Sequence, residues 1–372
     1  MPLSRISGAD AARQLNAFSA IIDARSPSEF ALDHLPGAVN WPTLTDAERA
    51  AIGTEYKQVS AFEARKRGAV MAARNIAQHV QDHAMGLSRD WRALIYCWRG
   101  GQRSGALALV LGEIGFAVQV IEGGYVAFRR AVLAELETLP RTLALQVLCG
   151  RTGSAKSRLL QALAAQGAQV LDLEALACHR GSVLGPLPGQ PQPSQKAFET
   201  RLWHALRALD PGRPVYAEGE SRTIGRLRLP EALLDQLRAA PCIRPDLSVE
   251  ARVDFLLQDY AHFLQDVESF CERLQALREL RGAAVVQTWQ AQARAGQWRT
   301  VVRELLEQHY DPIYERSMPR NYPGYNQALP LALPAADPAS LADAARRLVE
   351  TTQPRSGAIP SPRPGSVDPL IA

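Results

Sequence analysis

The sequence predicts an α/β fold with two parallel sheets, followed by a helical region. Two stretches of the 372-residue chain, residues 93–115 and residues 143–166, share one order of elements: an apolar strand, a glycine-containing loop and a helix. Strands that alternate with helices in this way form parallel sheets. From residue 248 to about residue 310 the apolar residues recur at helical spacing instead. We therefore predict an N-terminal parallel-sheet domain, a second α/β domain and a helical appendage on the second domain.

A linker separates the two predicted sheet domains. Residues 136–142 contain Pro140 and form the boundary between a first domain at residues 1–138 and a second at residues 143–245. The helical extension is placed at residues 246–350. Residues 351–372 are rich in proline and serine and lack apolar periodicity, so they are predicted to be a disordered tail.

Composition restricts the classes of protein that fit. Apolar residues make up 47% of the chain, enough for two cores. The five cysteines are scattered without a CxxC pair, which favours neither a disulfide framework nor a zinc site and indicates a reducing, cytoplasmic setting. No stretch reaches the length of a membrane span. The net charge of +4 is small, so a nucleic acid would have to be bound by a local basic patch.

The loop after the strand at residues 93–96 is predicted to hold a reactive cysteine. Cys97 is followed by a glycine pair, two arginines and a helix, so backbone amides and the positive helix end can stabilise a thiolate. Nearby arginines lower a thiol pKa, which distinguishes a reactive cysteine from a buried one. The alternative is a core cysteine at a strand end, which would have no use for glycines and arginines. The candidate residues are Cys97, Arg99, Gly100, Gly101, Arg103 and Ser104.

A second loop, at residues 150–157, is predicted to bind a diphosphate. It lies between a strand and a helix, the setting that a Walker A loop requires. Its amides would surround the phosphates, Lys156 would bridge their oxygens, and Ser157 would face magnesium. Ala155 stands where glycine normally precedes the lysine and is tolerable if it keeps negative φ. The candidate residues are Gly150, Thr152, Gly153, Ser154, Ala155, Lys156 and Ser157.

Charged residues after the neighbouring strands complete the second candidate site. Asp172 and Glu218 follow short apolar strands, where a carboxylate can hold magnesium directly or through water. Ser157 and Asp172 are therefore the candidate ligands of a possible Mg²⁺. Arg222 and Arg226 belong to an arginine cluster that could engage a diphosphate or a nucleic-acid backbone.

The first half of the chain resembles the rhodanese family. The resemblance is carried by four separated motifs: Asp23-Ala24-Arg25, His34-Leu35-Pro36-Gly37-Ala38, the Cys97 loop, and Glu122-Gly123-Gly124-Tyr125. It implies a rhodanese-like domain that carries sulfur or selenium on Cys97. A cysteine phosphatase is the alternative, but no histidine precedes Cys97 and no aspartate nearby suggests itself as the general acid. Asp23 is expected to be structural, pairing with Arg25.

The whole chain resembles the bacterial tRNA 2-selenouridine synthase family, in which a rhodanese-like domain precedes a P-loop NTPase-like domain. Besides the two loops, the matching stretches are Asp172-Leu173-Glu174, His179-Arg180-Gly181-Ser182, Gln192-Pro193-Ser194-Gln195-Lys196, Glu220-Ser221-Arg222 and Ile224-Gly225-Arg226. The resemblance implies geranylation of wobble 2-thiouridine in tRNA by geranyl diphosphate, then replacement of the S-geranyl group by selenium from selenophosphate. No tightly bound cofactor is implied.

The resemblance also suggests how the residues divide the work. The P-loop, with Lys156 and Ser157, would hold the diphosphate of the prenyl donor, and Arg222 and Arg226 would neutralise this leaving group or the tRNA backbone. Cys97 would accept or relay selenium, with Arg99 and Arg103 holding the phosphate of selenophosphate. The helical region with its phenylalanines would supply an apolar pocket for the prenyl chain. Two alternatives stay open: a P-loop kinase or ATPase with a rhodanese module, and a non-enzymatic tRNA or sulfur-carrier binding protein.

Overall fold

A parallel sheet organises the first half of the protein. The computed structural model describes residues 3–182, 184–186 and 189–352. The strands of the first sheet are β1 (Ser4–Ile6), β2 (Ala20–Asp23), β3 (Ala38–Asn40), β4 (Arg92–Tyr96) and β5 (Ala117–Ile121). Their spatial order is β1-β5-β4-β2-β3, and every neighbouring pair is parallel. The helices of this half are α1 (Gly8–Arg13), α2 (Pro27–Leu32), α3 (Asp46–Gln58), α4 (Ala61–His79), α5 (Gln102–Ile114) and α6 (Gly124–Thr138).

A second parallel sheet follows. Its strands are β6 (Ala144–Leu148), β7 (Gln169–Leu171), β8 (Pro214–Glu218), β11 (Cys242–Asp246) and β12 (Leu329–Ala332), and a separate antiparallel hairpin joins β9 (Thr223–Ile224) to β10 (Leu227–Arg228). The spatial order is β12-β11-β6-β8-β7. The helices are α7 (Lys156–Ala165), α8 (Leu173–Ala177), α9 (Gln195–Arg207), α10 (Glu231–Ala239), α11 (Val249–Asp259), α12 (Ala261–Gln265), α13 (Val267–Leu274), α14 (Arg278–Arg281), α15 (Ala283–Arg294), α16 (Trp298–Leu305), α17 (Asp311–Asn321) and α18 (Pro338–Thr352).

The two faces of the second sheet are covered by different helices. On one face, α9 and α10 pack against Val215 and Ala217; on the other, α7 and α18 pack against Tyr216 and Ile243. Alternate residues of β8 thus point to opposite faces, as the pleat of a strand requires. The loops that follow β4 and β6, both interior strands, lie at the carboxyl ends of their sheets, where ligands bind in open α/β folds.

The region predicted as a helical extension, residues 246–350, is not helical throughout. Helices α11 to α17 are followed by β12, which pairs with β11 at the edge of the second sheet, and by α18, which packs on α7. The strand signal is weak there because β12 has only four residues and contains Pro330. Thr351 and Thr352 complete α18, although the tail was predicted to begin at residue 351. The rest of that predicted tail, residues 353–372, lies outside the described residues.

The two halves share one apolar core. Phe128 on α6 meets Trp203 on α9 edge to face, with ring centroids 5.4 Å apart, and both side chains are fully buried. At the edge of this contact Asp33 accepts hydrogen bonds from Tyr125 Oη (2.6 Å) and from Thr200 Oγ1 of the second half (3.0 Å). Arg129 and Glu199 form an ion pair across the same boundary. Packing and polar contacts therefore fix one half against the other.

Local features of the first half agree with the sequence analysis. Ser26 and Glu29 form a capping box at the start of α2, and Pro27 occupies its first turn. The predicted pairing of Asp23 with Arg25 is confirmed, with Arg25 Nη2 2.6 Å from Asp23 Oδ2 and both side chains buried. Arg25 Nη2 also donates to the carbonyl of Asp33. The pair is therefore structural. No helix in the described part of the chain is long and apolar enough to span a bilayer.

Candidate functional site

The Cys97 loop (residues 97–103) joins β4 to α5. Ser104, in the first turn of α5, donates a hydrogen bond from Oγ to Cys97 Sγ at 3.1 Å. The first amides of a helix have no partner within the helix, so the sulfur lies beside free N–H groups and the positive end of the helix dipole. Cys97 as a whole residue is only 3% exposed and packs in the apolar core of the first half. The solvent-exposed part of the loop consists of Arg99, Gly101 and Gln102.

Two glycines permit the close packing of the Cys97 loop. Gly100 has a φ of 66°, and a Cβ atom there would lie 2.4 Å from the carbonyl oxygen of Ile121. Gly124 has a φ of 56°, and its Cβ would lie 2.2 Å from the carbonyl oxygen of Cys97. The amide of Tyr125 donates to that same carbonyl at 2.8 Å. The Glu122-Gly123-Gly124-Tyr125 motif thus supports the loop from behind.

The two arginines of the Cys97 loop occupy different environments. Arg103 Nη1 contacts Glu29 Oε2 at 2.9 Å, and Arg49 contacts the same carboxylate at 3.0 Å. Arg103 therefore fixes the loop to α2. Arg99 is exposed and has no carboxylate partner among the residues that the structure describes. An incoming anion would meet Arg99 first.

The P-loop (residues 150–157) joins β6 to α7, as the sequence predicts. Lys156 Nζ donates to the carbonyl of Gly150 at 2.8 Å. A Cβ at position 150 would lie 2.0 Å from Ser154 Oγ, so only glycine fits there. Ser154 Oγ is buried and has no hydrogen-bond partner among the described residues. A polar atom buried in this way is suited to an anionic ligand that supplies the missing contact.

Ala155 does not keep the negative φ expected for alanine. Its φ is 57°, in the left-handed region, and it immediately precedes the first residue of α7. The P-loop turns through Gly153, with a φ of 79°, and Ala155 before the helix starts. A left-handed conformation costs an L-residue about 1–2 kcal/mol. The buried methyl group of Ala155, which packs with the core around α7, offsets part of this cost.

Carboxylates gather beside Lys156 and Ser157. Ser157 Oγ donates to Glu174 Oε2 at 2.9 Å, whereas Asp172 caps α8 by accepting from the amide of Ala175. The acid that touches Ser157 is thus Glu174, two residues beyond the candidate Asp172. Glu218 is fully buried at the end of β8, and neither of its carboxylate oxygens has a partner among the described residues.

Burial and mutual repulsion raise the pKa values of these acids. Burial, and then the charge of Glu174, raise the pKa of Glu220 to about 8 and that of Glu218 well above its usual range. Burial also raises the pKa of Glu174 and of Asp172. At neutral pH part of this set therefore carries protons.

Residues 152–157 of the P-loop and three of these acids, Asp172, Glu174 and Glu220, line a cavity of ≈ 530 Å³, called here the P-loop cavity. Two arginines that the sequence analysis did not select, Arg158 and Arg180, lie in its wall. Arg222 and Arg226 do not belong to the described lining; Arg222 pairs with Glu231, and Arg226 Nη2 donates to the carbonyl of Gln192. The cations in the cavity wall are Lys156, Arg158 and Arg180, and the two arginines both pair with Asp259, which also lines the cavity.

A smaller pocket of ≈ 60 Å³, called here the apolar pocket, opens from the same region. Its wall is mostly leucine and aromatic side chains. It shares five lining residues with the P-loop cavity: Thr152, Ser182, Leu256, Tyr260 and Tyr310. Phe263 and Phe270 line the apolar pocket, as expected, but Phe255 lines the P-loop cavity. A polar, cationic space and an apolar one are thus contiguous.

The helical region is fastened directly to the P-loop. Arg252 on α11 donates from Nε to the carbonyl of Thr152 at 2.8 Å and makes a bidentate pair with Asp311, at 2.8 and 2.6 Å. The Arg252 side chain is 1% exposed, so its charge depends on both partners. Sequence patterns gave no signal for this contact, because its partners lie 59 and 100 residues away along the chain.

Comparisons with known proteins agree with this arrangement. The tRNA 2-selenouridine synthase AAA domain matches residues 143–278, and the rhodanese-like domain matches residues 7–131. The tRNA 2-selenouridine synthase of Alcanivorax borkumensis is 34% identical over 332 residues, 81% of this chain and 90% of the relative. That of Hahella chejuensis is 35% identical over 344 residues, 82% and 88%. That of Nitrosomonas europaea is 38% identical over 244 residues, 64% and 63%.

The chain belongs to the tRNA 2-selenouridine synthase family.

The family assignment confirms the predicted fold class, a rhodanese-like domain followed by a P-loop domain. Within this member of the tRNA 2-selenouridine synthase family, sequence reasoning missed Glu174, Glu220, Arg158 and Arg180. Glu174 and Glu220 each lie two residues beyond a selected acid, in stretches named above only for their resemblance to the family.

The first prediction concerns Glu220. Its proton is held more tightly in the folded protein than in the unfolded chain, so the free energy of unfolding falls as the pH rises from about 5 to about 8. Glu220→Gln removes this contribution, and we expect a flatter decline of Tm over that range than in the unmodified protein. Thermal denaturation at several pH values measures it, with the exposed Glu307→Gln as control. Equal slopes for Glu220→Gln and the unmodified protein would contradict the assignment.

Proposed function

We propose that the protein is a transferase that converts wobble 2-thiouridine of tRNA into 2-selenouridine in two steps. A geranyl group from geranyl diphosphate is first placed on the sulfur of the base. Selenium from selenophosphate then replaces the S-geranyl group. The family supports a role in 2-selenouridine synthesis, and the chemistry of the two sites supports this division into steps.

The observation that supports the proposal most directly is that the P-loop cavity and the apolar pocket are contiguous and share lining residues. A prenyl diphosphate has a doubly anionic end and a hydrocarbon end, and the two spaces match these ends in order. A nucleoside triphosphate would instead bring a base and a ribose, whose polar groups need hydrogen-bond partners when buried. The leucine and aromatic wall of the apolar pocket offers few. This favours the prenyl donor over the ATP of a kinase.

In the first step, the thione sulfur attacks C1 of the geranyl group. The S–C1 bond forms, the C1–O bond breaks, and diphosphate leaves. The N3 proton of the uracil ring passes to a proton acceptor in the site. Lys156 would exchange its contact with the Gly150 carbonyl for diphosphate oxygens. The N-terminus of α7, Arg158 and Arg180 would stabilise the charge that grows on the leaving group.

Mg²⁺ is proposed as a companion of the diphosphate. The unpaired carboxylate of Glu218 and the contact of Ser157 with Glu174 are features that fit a cation. Among the described residues, no three His, Cys, Asp or Glu side chains are placed to hold a metal by themselves. Ser157, Glu174 and Glu218, with the nearby Asp172, would therefore hold Mg²⁺ together with diphosphate oxygens, and the ion would neutralise part of their charge.

In the second step, a selenium nucleophile derived from selenophosphate attacks C2 of the base. The C–Se bond forms, the C–S bond breaks, and the geranyl thiolate leaves; water then cleaves the P–Se bond, which releases phosphate and leaves selenium on C2. Alkylation is what makes this possible, because a thione sulfur leaves poorly. Cys97 would hold the selenium donor beside C2 without a change of oxidation state, with Arg99 attracting the selenophosphate anion. Since Cys97 is 3% exposed, the Cys97 loop would have to open for the donor to reach the sulfur.

The second prediction separates the two sites through Cys97. Cys97→Ala should still accumulate S-geranyl-2-thiouridine tRNA but form no selenouridine, because only the selenium step needs the thiol. Mass spectrometry of tRNA nucleosides after incubation with both donors measures this, and Cys178→Ala is the matched cysteine control. Loss of both products in Cys97→Ala would refute separate sites.

The third prediction concerns the P-loop. Lys156→Ala should slow geranylation by about 100-fold or more, as expected for losing a charge that stabilises the leaving group. Lys57→Ala, an exposed lysine on α3, is the control. Prenyl transfer at an unchanged rate in Lys156→Ala would remove the P-loop from the mechanism.

The fourth prediction tests the prenyl pocket itself. Leu257 lines the apolar pocket and is half-buried, so Leu257→Trp should narrow the pocket without emptying the core. We expect geranyl diphosphate to bind about tenfold more weakly, because the narrowed pocket would bury about two fewer methylene groups of the prenyl chain, at ~0.8 kcal/mol each. Inorganic diphosphate should bind as before. Calorimetry with both ligands measures the two affinities, and Leu280→Trp, at an exposed position, is the control. Equal weakening for both ligands would place the prenyl chain elsewhere.

A further inference from the structure

Lys196 connects the Cys97 loop with the second half of the protein. It lies in the first turn of α9, and its Nζ is 5.8 Å from the ring centroid of Trp98, the residue after Cys97. Ser194, the N-cap of α9, donates to the carbonyl of Leu32 in the first half. The positive end of this 13-residue helix therefore adjoins the Cys97 loop together with an exposed lysine.

The hairpin β9–β10 presents two more cations beside Lys196. Gln195, next to Lys196, accepts from the amide of Arg228 at 2.9 Å and donates to its carbonyl at 2.8 Å. Gln192 accepts from the amide of Arg226 at 3.0 Å. These backbone contacts hold the hairpin against the start of α9. The side chains of Arg226 and Arg228 are exposed.

Arg201, farther along α9, extends the row towards the P-loop cavity. Its Nη1 is 3.8 Å from Cys178 Sγ, and the residues that follow Cys178, His179 and Arg180, line that cavity. Exposed cations are thus found beside the Cys97 loop, along α9 and on the adjoining hairpin, and Arg201 brings the set next to residues that line the P-loop cavity. We call this set the basic track, and its members are Arg99, Lys196, Arg201, Arg226 and Arg228.

The charges of the basic track are available to a ligand. Within the described ranges, none of its five side chains lies within 4.0 Å of a carboxylate, whereas the neighbouring Arg129 pairs with Glu199 and Arg222 pairs with Glu231. Five unneutralised cations on one surface exceed the +4 net charge of the entire chain. A polyanion would therefore find its strongest local attraction here.

We propose that the basic track binds the phosphate backbone of the RNA substrate and holds it across both sites. This inference rests on the proposed function, which requires one base to visit the P-loop cavity and then the Cys97 loop. A backbone anchored between the sites lets the base move while the phosphates stay bound. The contacts are to phosphates, so they position the RNA without reading its sequence.

The experiment reverses two charges that belong neither to the Cys97 loop nor to the lining of the P-loop cavity. Lys196→Glu combined with Arg228→Glu should weaken binding of thiolated tRNA by at least tenfold at about 50 mM salt, measured by fluorescence anisotropy. The slope of log affinity against log salt should fall in magnitude by about 1.4–1.8, since each of the two lost phosphate contacts removes roughly 0.7–0.9. Binding of geranyl diphosphate should be unchanged, which shows that the fold is intact.

Arg346→Glu combined with Arg347→Glu is the matched control. It makes the same charge change on α18, across the second sheet from α9, and should leave tRNA affinity within about twofold. Equal affinity and slope in the basic-track variant and the unmodified protein would overturn the inference, as would an equal loss in the control variant. A specific loss supports the basic track even if the unmodified protein forms neither product, in which case only the proposed function is contradicted.

Discussion

One buried carboxylate, that of Asp33, joins the two halves of the protein. It accepts hydrogen bonds from Tyr125 in the first half and Thr200 in the second, and its backbone carbonyl accepts from Arg25. A buried charge that lost either partner would pay its desolvation cost without compensation, so the two halves are held in one arrangement. The contact of Phe128 with Trp203 adds apolar burial beside it. Because the two halves are held in one arrangement, the distance between the Cys97 loop and the P-loop cavity is also fixed.

Both candidate sites use the same physical device. In each, an interior strand of a parallel sheet delivers a loop whose glycines permit close packing, and a helix begins directly after it. The free amides and the positive end of that helix then face the functional side chain. The sites differ in access, because Cys97 is closed over by its loop whereas the P-loop opens on a large cavity. This difference suits a diphosphate that enters directly and a sulfur that needs protection from solvent.

Local sequence predicted what local interactions determine. The two strand–loop–helix units and the pairing of Asp23 with Arg25 each involve residues close in the chain. Contacts made over long distances were not predictable: β12 returns to the second sheet after seven helices, and Arg252 reaches both Thr152 and Asp311. The positive φ of Ala155 was not predictable either, because the turn into α7 and the surrounding core impose it against the preference of an alanine.

The acids of the P-loop cavity at first sight oppose the binding of a diphosphate. Burial raises the pKa values of Glu174, Glu218 and Glu220, and the charge of Glu174 raises those of the other two. Protonation of part of this set at neutral pH removes much of the negative charge that a count of carboxylates would suggest. Among the cations in the wall, Arg158 and Arg180 pair with Asp259, so the charge that meets a diphosphate depends on Lys156 and on how many of these acids are protonated. When a bound diphosphate changes the local charge, the same acids can take up a proton or a cation. A cavity lined by cations alone would lack this ability.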